Sequence, residues 1–257
     1  MTRLLGLAYG AICYLAALAT IIYAIGFVGD LLVPKTIDMG VVGSRGAAVI
    51  IDIALLLLFA IQHNVMARQG FKRAWTRFVP PAIERSTYVL FASVALILLF
   101  WLWRPLAAPV WTVTAPFWAG VLWVLYFAGW AIVLLSTFLI SHFELFGLSQ
   151  VWAFSRQRGH EPPSFRTPFF YRLVRHPLYL GFVIAFFAAP HMSVGRLLFA
   201  VVVTTWMLVA IQLEERDLVA AFGAQYEAYR GRVPMILPLP KTRRSAEPPS
   251  PAADLRS

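Results

Sequence analysis

Cysteine is nearly absent from this sequence: Cys13 is the single one in 257 residues, and it lies inside the first apolar run. One thiol excludes an intrachain disulfide framework and a cysteine-ligated metal site. Cys13 therefore reads as a small buried apolar side chain. Charge is also scarce, with 13% of residues charged and only 12 acidic ones against 22 Lys and Arg. What fills the chain instead is apolar: 60% of residues are hydrophobic and the mean hydropathy is +0.72. Soluble domains carry about 45–50% apolar residues, and here the excess is gathered into long runs. That composition predicts an integral membrane protein. The net charge of +10 does not point to nucleic acid, because the basic residues cluster in a few loops, as in segments retained on the cytoplasmic side of a membrane.

The expected fold class is an all-α integral membrane protein with four long transmembrane helices, a C-terminal helical hairpin and a cytoplasmic tail helix. The run from Leu4 to Val28 is long enough for about 30 Å of hydrocarbon. It is too long for a signal-peptide core and has no small-residue cleavage site, so it reads as a retained span. Further spans are expected at Gly46–Met66, Ser86–Trp103 and Pro116–Ser141, with a basic loop from Arg68 to Arg85. Asp52, near the start of the second span, is expected to face protein or water. Trp101 and Trp103 end the third span as an aromatic belt, and Trp118 and Trp123 read as belt or packing. His142 to Trp152 interleaves polar and apolar residues and reads as an interfacial helix or an extension of the fourth span. A hydrophilic loop follows from Arg156 to Thr167. Leu178–Ala189 is short for a crossing, Pro190–Gly195 is a turn, and Leu197–Leu213 returns. Glu214–Val233 reads as an amphipathic tail helix, and the Lys-, Arg-, Ser-, Pro- and Glu-rich end as disorder. The organisation is thus 1–141 N-terminal spans, 142–240 connector, hairpin and tail helix, and 241–257 disordered tail, with no internal repeat.

Counting basic residues orients the chain. With the N-terminus inside, 18 of the 22 Lys and Arg fall on the cytoplasmic side, leaving Lys35, Arg45, Arg104 and Arg196 outside. Both termini are then cytoplasmic, in a bacterial-type inner membrane. The parity is the same whether the hairpin crosses or re-enters.

Antiparallel helices return to the side they left, so Arg175, His176 and Tyr179 are expected to meet Glu214 and Glu215. Ionisable residues at a membrane face are costly and mark functional sites. Taken singly they have plainer readings: Arg175 can snorkel to headgroups, and His176-Pro177 can be a helix start.

Together, Arg175-His176-Pro177-x-Tyr179-x-Gly181, then Glu214-Glu215, then Phe222-Gly223-x-x-Tyr226-x-x-Tyr229 and Val233-Pro234 resemble the isoprenylcysteine carboxyl methyltransferase superfamily. The resemblance implies an S-adenosylmethionine site at the cytoplasmic end of the hairpin. It implies that Arg175, His176, Pro177, Leu178 and Tyr179 line the cofactor, with Gln150 and Tyr171 from the connector and Glu214 from the return helix. Aromatic rings suit a sulfonium, and a carboxylate suits ribose hydroxyls or an ammonium. One departure is informative. Prenylcysteine enzymes carry an arginine one turn before the first Glu, and here that place is Ala210, which argues against a carboxylate substrate.

The N-terminal half narrows the resemblance. Gln62-His63-Asn64, Phe71-Lys72-Arg73, Pro80-Pro81-x-Ile83-Glu84-Arg85-Ser86-Thr87-Tyr88 and His142-Phe-Glu144-Leu-Phe-Gly147 are similar to the methanethiol S-methyltransferase family. Nitrite-reductase-associated membrane proteins share parts of this half. The resemblance implies methyl transfer to methanethiol, giving dimethyl sulfide. The partners are then a small thiol and the lipid bilayer, and no metal is implied.

Such a transfer needs in-line alignment and exclusion of water. A thiolate is the better nucleophile, so a base is wanted. His63 and His142 are the candidates. A structural polar network around His63 and a helix-end role for His142 are competing readings. His160 and His191 read as bystanders. Other acceptors (a lipid or another small thiol), an NADPH-dependent membrane reductase on the same hairpin, and a non-enzymatic membrane partner remain as alternatives.

Overall fold

The structure, a computed structural model, describes residues 2–159 and 165–239. The expected disordered tail, His160 and the Pro162-Pro163 pair lie outside the described residues. Among the described residues, five helices are long and apolar enough to cross a membrane: α1 (Arg3–Gly29), α2 (Arg45–Ala67), α4 (Pro81–Leu102), α5 (Pro116–Ile140) and α9 (Val194–Phe222). Shorter helices are α3 (Gln69–Trp75), α6 (His142–Leu145), α7 (Leu148–Ser155), α8 (Pro177–Phe187) and α10 (Ala224–Arg232). The chain is an all-α, multi-pass membrane protein, as composition predicts.

The helix starts follow ordinary capping chemistry. Thr2, Ser44 and Ser193 accept from the third following amide of α1, α2 and α9 at 3.4, 3.3 and 3.1 Å. Pro81, Pro116 and Pro177 occupy first turns, where a missing N–H costs nothing. The main core cluster, with Phe27, Leu99, Phe100, Trp130 and Phe186, lies toward the ends of α1, α4 and α8 remote from the start of α8. Trp103 belongs to it: it is fully buried and donates Nε1–H to the Ile37 carbonyl at 3.0 Å. It is packing, not belt, whereas Trp101 and Trp118 are exposed. Asp52 is buried, and its Oδ1 accepts from the Arg104 amide at 2.8 Å, tying α2 to the chain leaving α4.

Several expectations need correction. The return arm is not a short helix ending at Leu213. α9 runs 29 residues, straight through Glu214 and Glu215, until Gly223 breaks it at φ +52°. The tail helix is therefore only α10. The basic 68–85 stretch is not all loop, since α3 forms in it and α4 begins at Pro81, placing Glu84 and Arg85 within a helix. The 142–155 segment is neither one helix nor an extension of α5: Ser141 interrupts, and Gly147 at φ +88° separates α6 from α7.

An unforeseen strand pair shows where the hairpin goes. Pro109–Thr112 (β1), just after α4, pairs antiparallel with His191–Ser193 (β2), just after α8. Thr112 Oγ1 and His191 Nδ1 lie 3.0 Å apart, and Trp111 donates to the Ala189 carbonyl at 3.0 Å. The turn of the hairpin thus sits at the same end of the bundle as the α4–α5 connection, opposite the start of α8. α8 covers only about 16 Å of that distance at ~1.5 Å per residue, and residues 188–190 carry the chain on to β2.

α8 is held along α5 by a reciprocal pair of glycines. A Cβ on Gly129 would lie 2.6 Å from the Gly181 carbonyl oxygen, and a Cβ on Gly181 would lie 2.6 Å from that of Gly129. Small residues at this crossing let the two backbones touch, the usual device where helices have no hydrophobic drive to associate.

Candidate functional site

The site forms where α8 begins and α9 leaves the apolar zone. His176 is the residue before the first turn of α8, and Glu215 faces it from α9. Glu215 is buried, and its Oε1 accepts from Arg175 Nε at 2.7 Å and His176 Nε2 at 3.1 Å. Arg175 is buried as well; its Nη1 donates to the carbonyls of Arg230 and Val233 at 3.1 and 2.7 Å. The amides of Arg175 and His176 donate to Pro234 and Met235 at 2.9 and 3.0 Å. A buried ion pair is tolerable only when hydrogen bonds saturate it, and here the last turn of α10 and the residues after it supply them.

Glu214, one residue earlier, points elsewhere. Consecutive residues on a helix project about 100° apart. Its carboxylate is half exposed, accepts from Tyr179 OH at 3.1 Å, and lies 3.9 Å from His176 Nδ1. The two acidic neighbours therefore divide the work: Glu215 locks the hairpin to the tail, and Glu214 is left with oxygens available at the surface of a cavity.

That cavity holds about 880 Å³. Its polar end is walled by Tyr171, Arg175, His176, Leu178, Tyr179 and Glu214, all six singled out in the sequence, together with Phe165, Phe222, Tyr226 and Tyr229. The remaining sequence candidates for this region are elsewhere. Pro177 is buried in the first turn of α8, off the lining. Gln150, on α7, is also off the lining, and its Nε2 donates to Glu144 Oε1 at 2.8 Å.

The tyrosines are hydrogen-bond donors. Burial, and after it the Glu214 charge, pushes the Tyr171 phenol well above its ordinary value. Burial and then Glu215 do the same to Tyr226. Burial holds Tyr229 up at about 12 against the opposing pull of the Arg175 guanidinium. Tyr229 OH donates to the Tyr171 carbonyl at 2.6 Å, which fixes the connector over the cavity. The Tyr226 hydroxyl is buried with no partner among the described residues.

The same cavity continues past α8 to His63 on α2 and Tyr88 on α4. Tyr88 OH lies 3.0 Å from His63 Nδ1 and 2.9 Å from Nε2, straddling the ring edge. Arg85 lies 4.8 Å from the Tyr88 ring centre and donates Nε–H to the Leu145 carbonyl at 2.8 Å. His142 is not on the lining. Its Nε2 is 3.0 Å from Tyr14 OH and its Nδ1 is 2.8 Å from Thr137 Oγ1, with the ring stacked on Phe138 at 4.1 Å. Burial lowers its pKa, so this imidazole is held neutral. Glu215 stands where the sequence expects it, beside Arg175 and His176, although the sequence assigns it no role. Tyr88, Phe222, Tyr226 and Tyr229 are visible only within motifs, and Phe165 carries no signal.

No family model and no solved structure matches the chain. Curated relatives do. It is 55% identical over 240 residues to the methanethiol S-methyltransferase of Mycobacterium tuberculosis, covering 93% of this chain and 98% of that one. It is 56% identical over 230 residues to methanethiol S-methyltransferase 1 of Bradyrhizobium diazoefficiens, covering 90% and 81%. A more distant likeness, 31% over 176 residues, is to Nurim of Mus musculus, covering 65% and 66%. With identity on this scale over nearly the full length of both chains, the chain belongs to the methanethiol S-methyltransferase family.

Proposed function

We propose that this protein methylates methanethiol to dimethyl sulfide with S-adenosylmethionine as donor, at the cytoplasmic face of a bacterial inner membrane. The observation that carries the reading is one continuous cavity joining the Tyr179–Glu214 pair to the His63–Tyr88 pair. The residues at its polar end suit the cofactor. Glu214 offers carboxylate oxygens for ribose hydroxyls or the ammonium, the unpartnered Tyr226 hydroxyl offers a donor, and Phe165, Tyr171, Tyr179 and Phe222 offer ring faces for adenine and a sulfonium. When bound there, the cofactor supplies an electrophilic methyl carbon.

The chain's own residues do the rest. Arg175 and Glu215 hold the mouth of α8 rigid, so that Tyr179 and Glu214 keep their spacing. Apolar walls exclude water from the reacting centre. His63 accepts the thiol proton, and Tyr88, bonded to its ring edge, orients it. We favour His63 over His142 for this step because His63 faces the cavity, while both nitrogens of His142 are engaged by Tyr14 and Thr137.

The cytoplasmic placement rests on the basic residues, which flank the site end of the bundle: Arg68, Arg156, Arg175 and Arg230 are all there or in its loops. The test is headspace detection of labelled dimethyl sulfide from purified protein given methanethiol and methyl-labelled S-adenosylmethionine. Absence of labelled product from folded protein overturns the reading. Parallel titration with S-adenosylhomocysteine and NADPH separates it from a reductase, since only the former is expected to bind.

A further inference from the structure

The cavity is too long for its proposed acceptor. Its volume of about 880 Å³ lies near the top of the roughly 300–1,000 Å³ that accommodates drug-sized ligands, and its polar end is taken by the proposed cofactor. What bears on the acceptor, which has two heavy atoms, is the part beyond that end. From His63 and Tyr88 the lining descends into the bundle along α1, α2 and α4 through Ala24, Leu56, Ala60, Ala92, Leu96 and Phe100. Tyr88 and Phe100 are twelve residues apart on α4, so this limb reaches about 18 Å inward at ~1.5 Å per residue. Protein interiors close voids larger than a water. Here the space persists because alanines stand at three of those six positions, where larger apolar side chains would fill it.

Resting on the thiol-methylating reading above, we infer that this limb is a binding subsite for the alkyl chain of longer straight-chain alkanethiols, and that the protein methylates them as well as methanethiol. The polar mouth fixes the reacting sulfur beside His63 and Tyr88, so a chain attached to that sulfur has one apolar direction to run, down the limb. Nothing charged lines the path beyond His63 and Arg85, so an uncharged alkyl tail is the matching chemistry and a carboxylate- or phosphate-bearing tail is not. Ala210, at the other wall of the cavity, adds no cation that would select an acid. The reaction balances as for the shortest thiol. The acceptor sulfur forms the new bond to the methyl carbon, the electron pair of the broken bond stays with the donor sulfur, and the thiol proton passes through His63 to water. The product is a methyl alkyl sulfide.

The test uses the full chain in lipid nanodiscs, with two readouts. The first is headspace product formation from methanethiol and from hexanethiol. Hexanethiol turnover is expected within about ten-fold of methanethiol, and Ala24→Phe is expected to lower the hexanethiol-to-methanethiol ratio at least ten-fold. The second does not need turnover. In a Cys13→Ala background, Ala92→Cys is alkylated by N-ethylmaleimide, and hexyl methyl sulfide, which does not react with the reagent, is expected to slow alkylation at least five-fold. Methanethiol turnover with hexanethiol a hundred-fold slower overturns the inference and leaves the proposed function standing. Hexanethiol turnover without protection of Ala92→Cys also overturns it, because the chain then lies elsewhere. Protection without methylation of either thiol upholds the subsite and sinks the proposed function.

Discussion

The Arg175 guanidinium and the Glu215 carboxylate lie 2.7 Å apart with both side chains 7% exposed, and this pair joins three separate segments: the start of α8, the C-terminal part of α9, and the 233–235 segment that follows α10. Glu214, the adjacent residue, touches none of those segments except through Tyr179 and the edge of His176. Substitutions at the two glutamates are therefore expected to separate. Glu215→Ala leaves a buried guanidinium unpaired, which costs about 3–5 kcal/mol in such pairs, and should lower the thermal midpoint by many degrees. Glu214→Ala should leave the midpoint within a few degrees and abolish measurable S-adenosylhomocysteine binding. Thermal unfolding and calorimetric titration on both variants check this. A Glu214→Ala protein that binds normally would remove Glu214 from the cofactor site.

The division between Glu214 and Glu215 was not legible in the sequence. Both follow an apolar run, and hydropathy assigns no direction to either. The choice depends on the rotation of α9 against α8, which only packing sets. The same holds for Tyr88 and His63, which lie 25 residues apart and meet only because α2 and α4 are neighbours. Gln150 is a different case: the resemblance implies a place at the cofactor, and α7 turns its amide toward Glu144, off the cavity lining. What was legible rests on strong local physics. Apolar runs marked α1, α2, α4 and α5, and Pro177 marked the start of α8. A pair of glutamates reads as an end to α9, although no glycine or proline interrupts the helix between Gly195 in its first turn and Gly223. The β1–β2 pair is three to four residues long, too short for any periodicity to register.

The His63–Tyr88 pair carries a kinetic prediction. If His63 takes the thiol proton, His63→Ala should lower kcat/KM for methanethiol by about 10²–10⁴, the usual range for a positioned base. The loss should shrink as pH rises and the thiol ionises in solution. Tyr88→Phe, which keeps the ring but loses the bond, should cost less and in the same direction. A pH–rate series from 6 to 9 on the three proteins is the measurement. Equal losses at every pH would assign His63 to packing.

His142 yields a stability prediction instead. Burial lowers its pKa from the ordinary 6.5. The folded state therefore binds that proton less readily than the unfolded chain. The contribution is absent above 6.5, where both forms are neutral, and becomes a destabilisation as pH falls from there toward the lowered value, because only the unfolded chain gains the proton. His142→Gln can replace one hydrogen bond without titrating. It should flatten the decline in thermal midpoint between pH 6.5 and 5 while changing the midpoint at pH 8 by little. A wild-type slope unchanged by the substitution would mean that His142 does not set it.

Gly129 and Gly181 make the strictest demand on the scaffold. Either one, as alanine, places a methyl 2.6 Å from the partner's carbonyl oxygen, and neither atom is the free end of a flexible side chain. α5 and α8 must move apart, and overpacking of this kind costs about 1–3 kcal/mol or more. The damage should not stop at stability, because α8 carries Tyr179 only two residues from Gly181. Separating the helices moves Tyr179 relative to Glu214, which is anchored on α9. Gly181→Ala is thus expected to lower both the yield of monodisperse protein in detergent and the affinity of the surviving fraction for S-adenosylhomocysteine. Gly43→Ala, at a position with open space around it, should change neither. Size-exclusion fluorescence and cofactor titration on the pair decide whether this contact positions the site or only supports the bundle: a Gly181→Ala protein that expresses poorly yet binds with unaltered affinity would confine its role to folding.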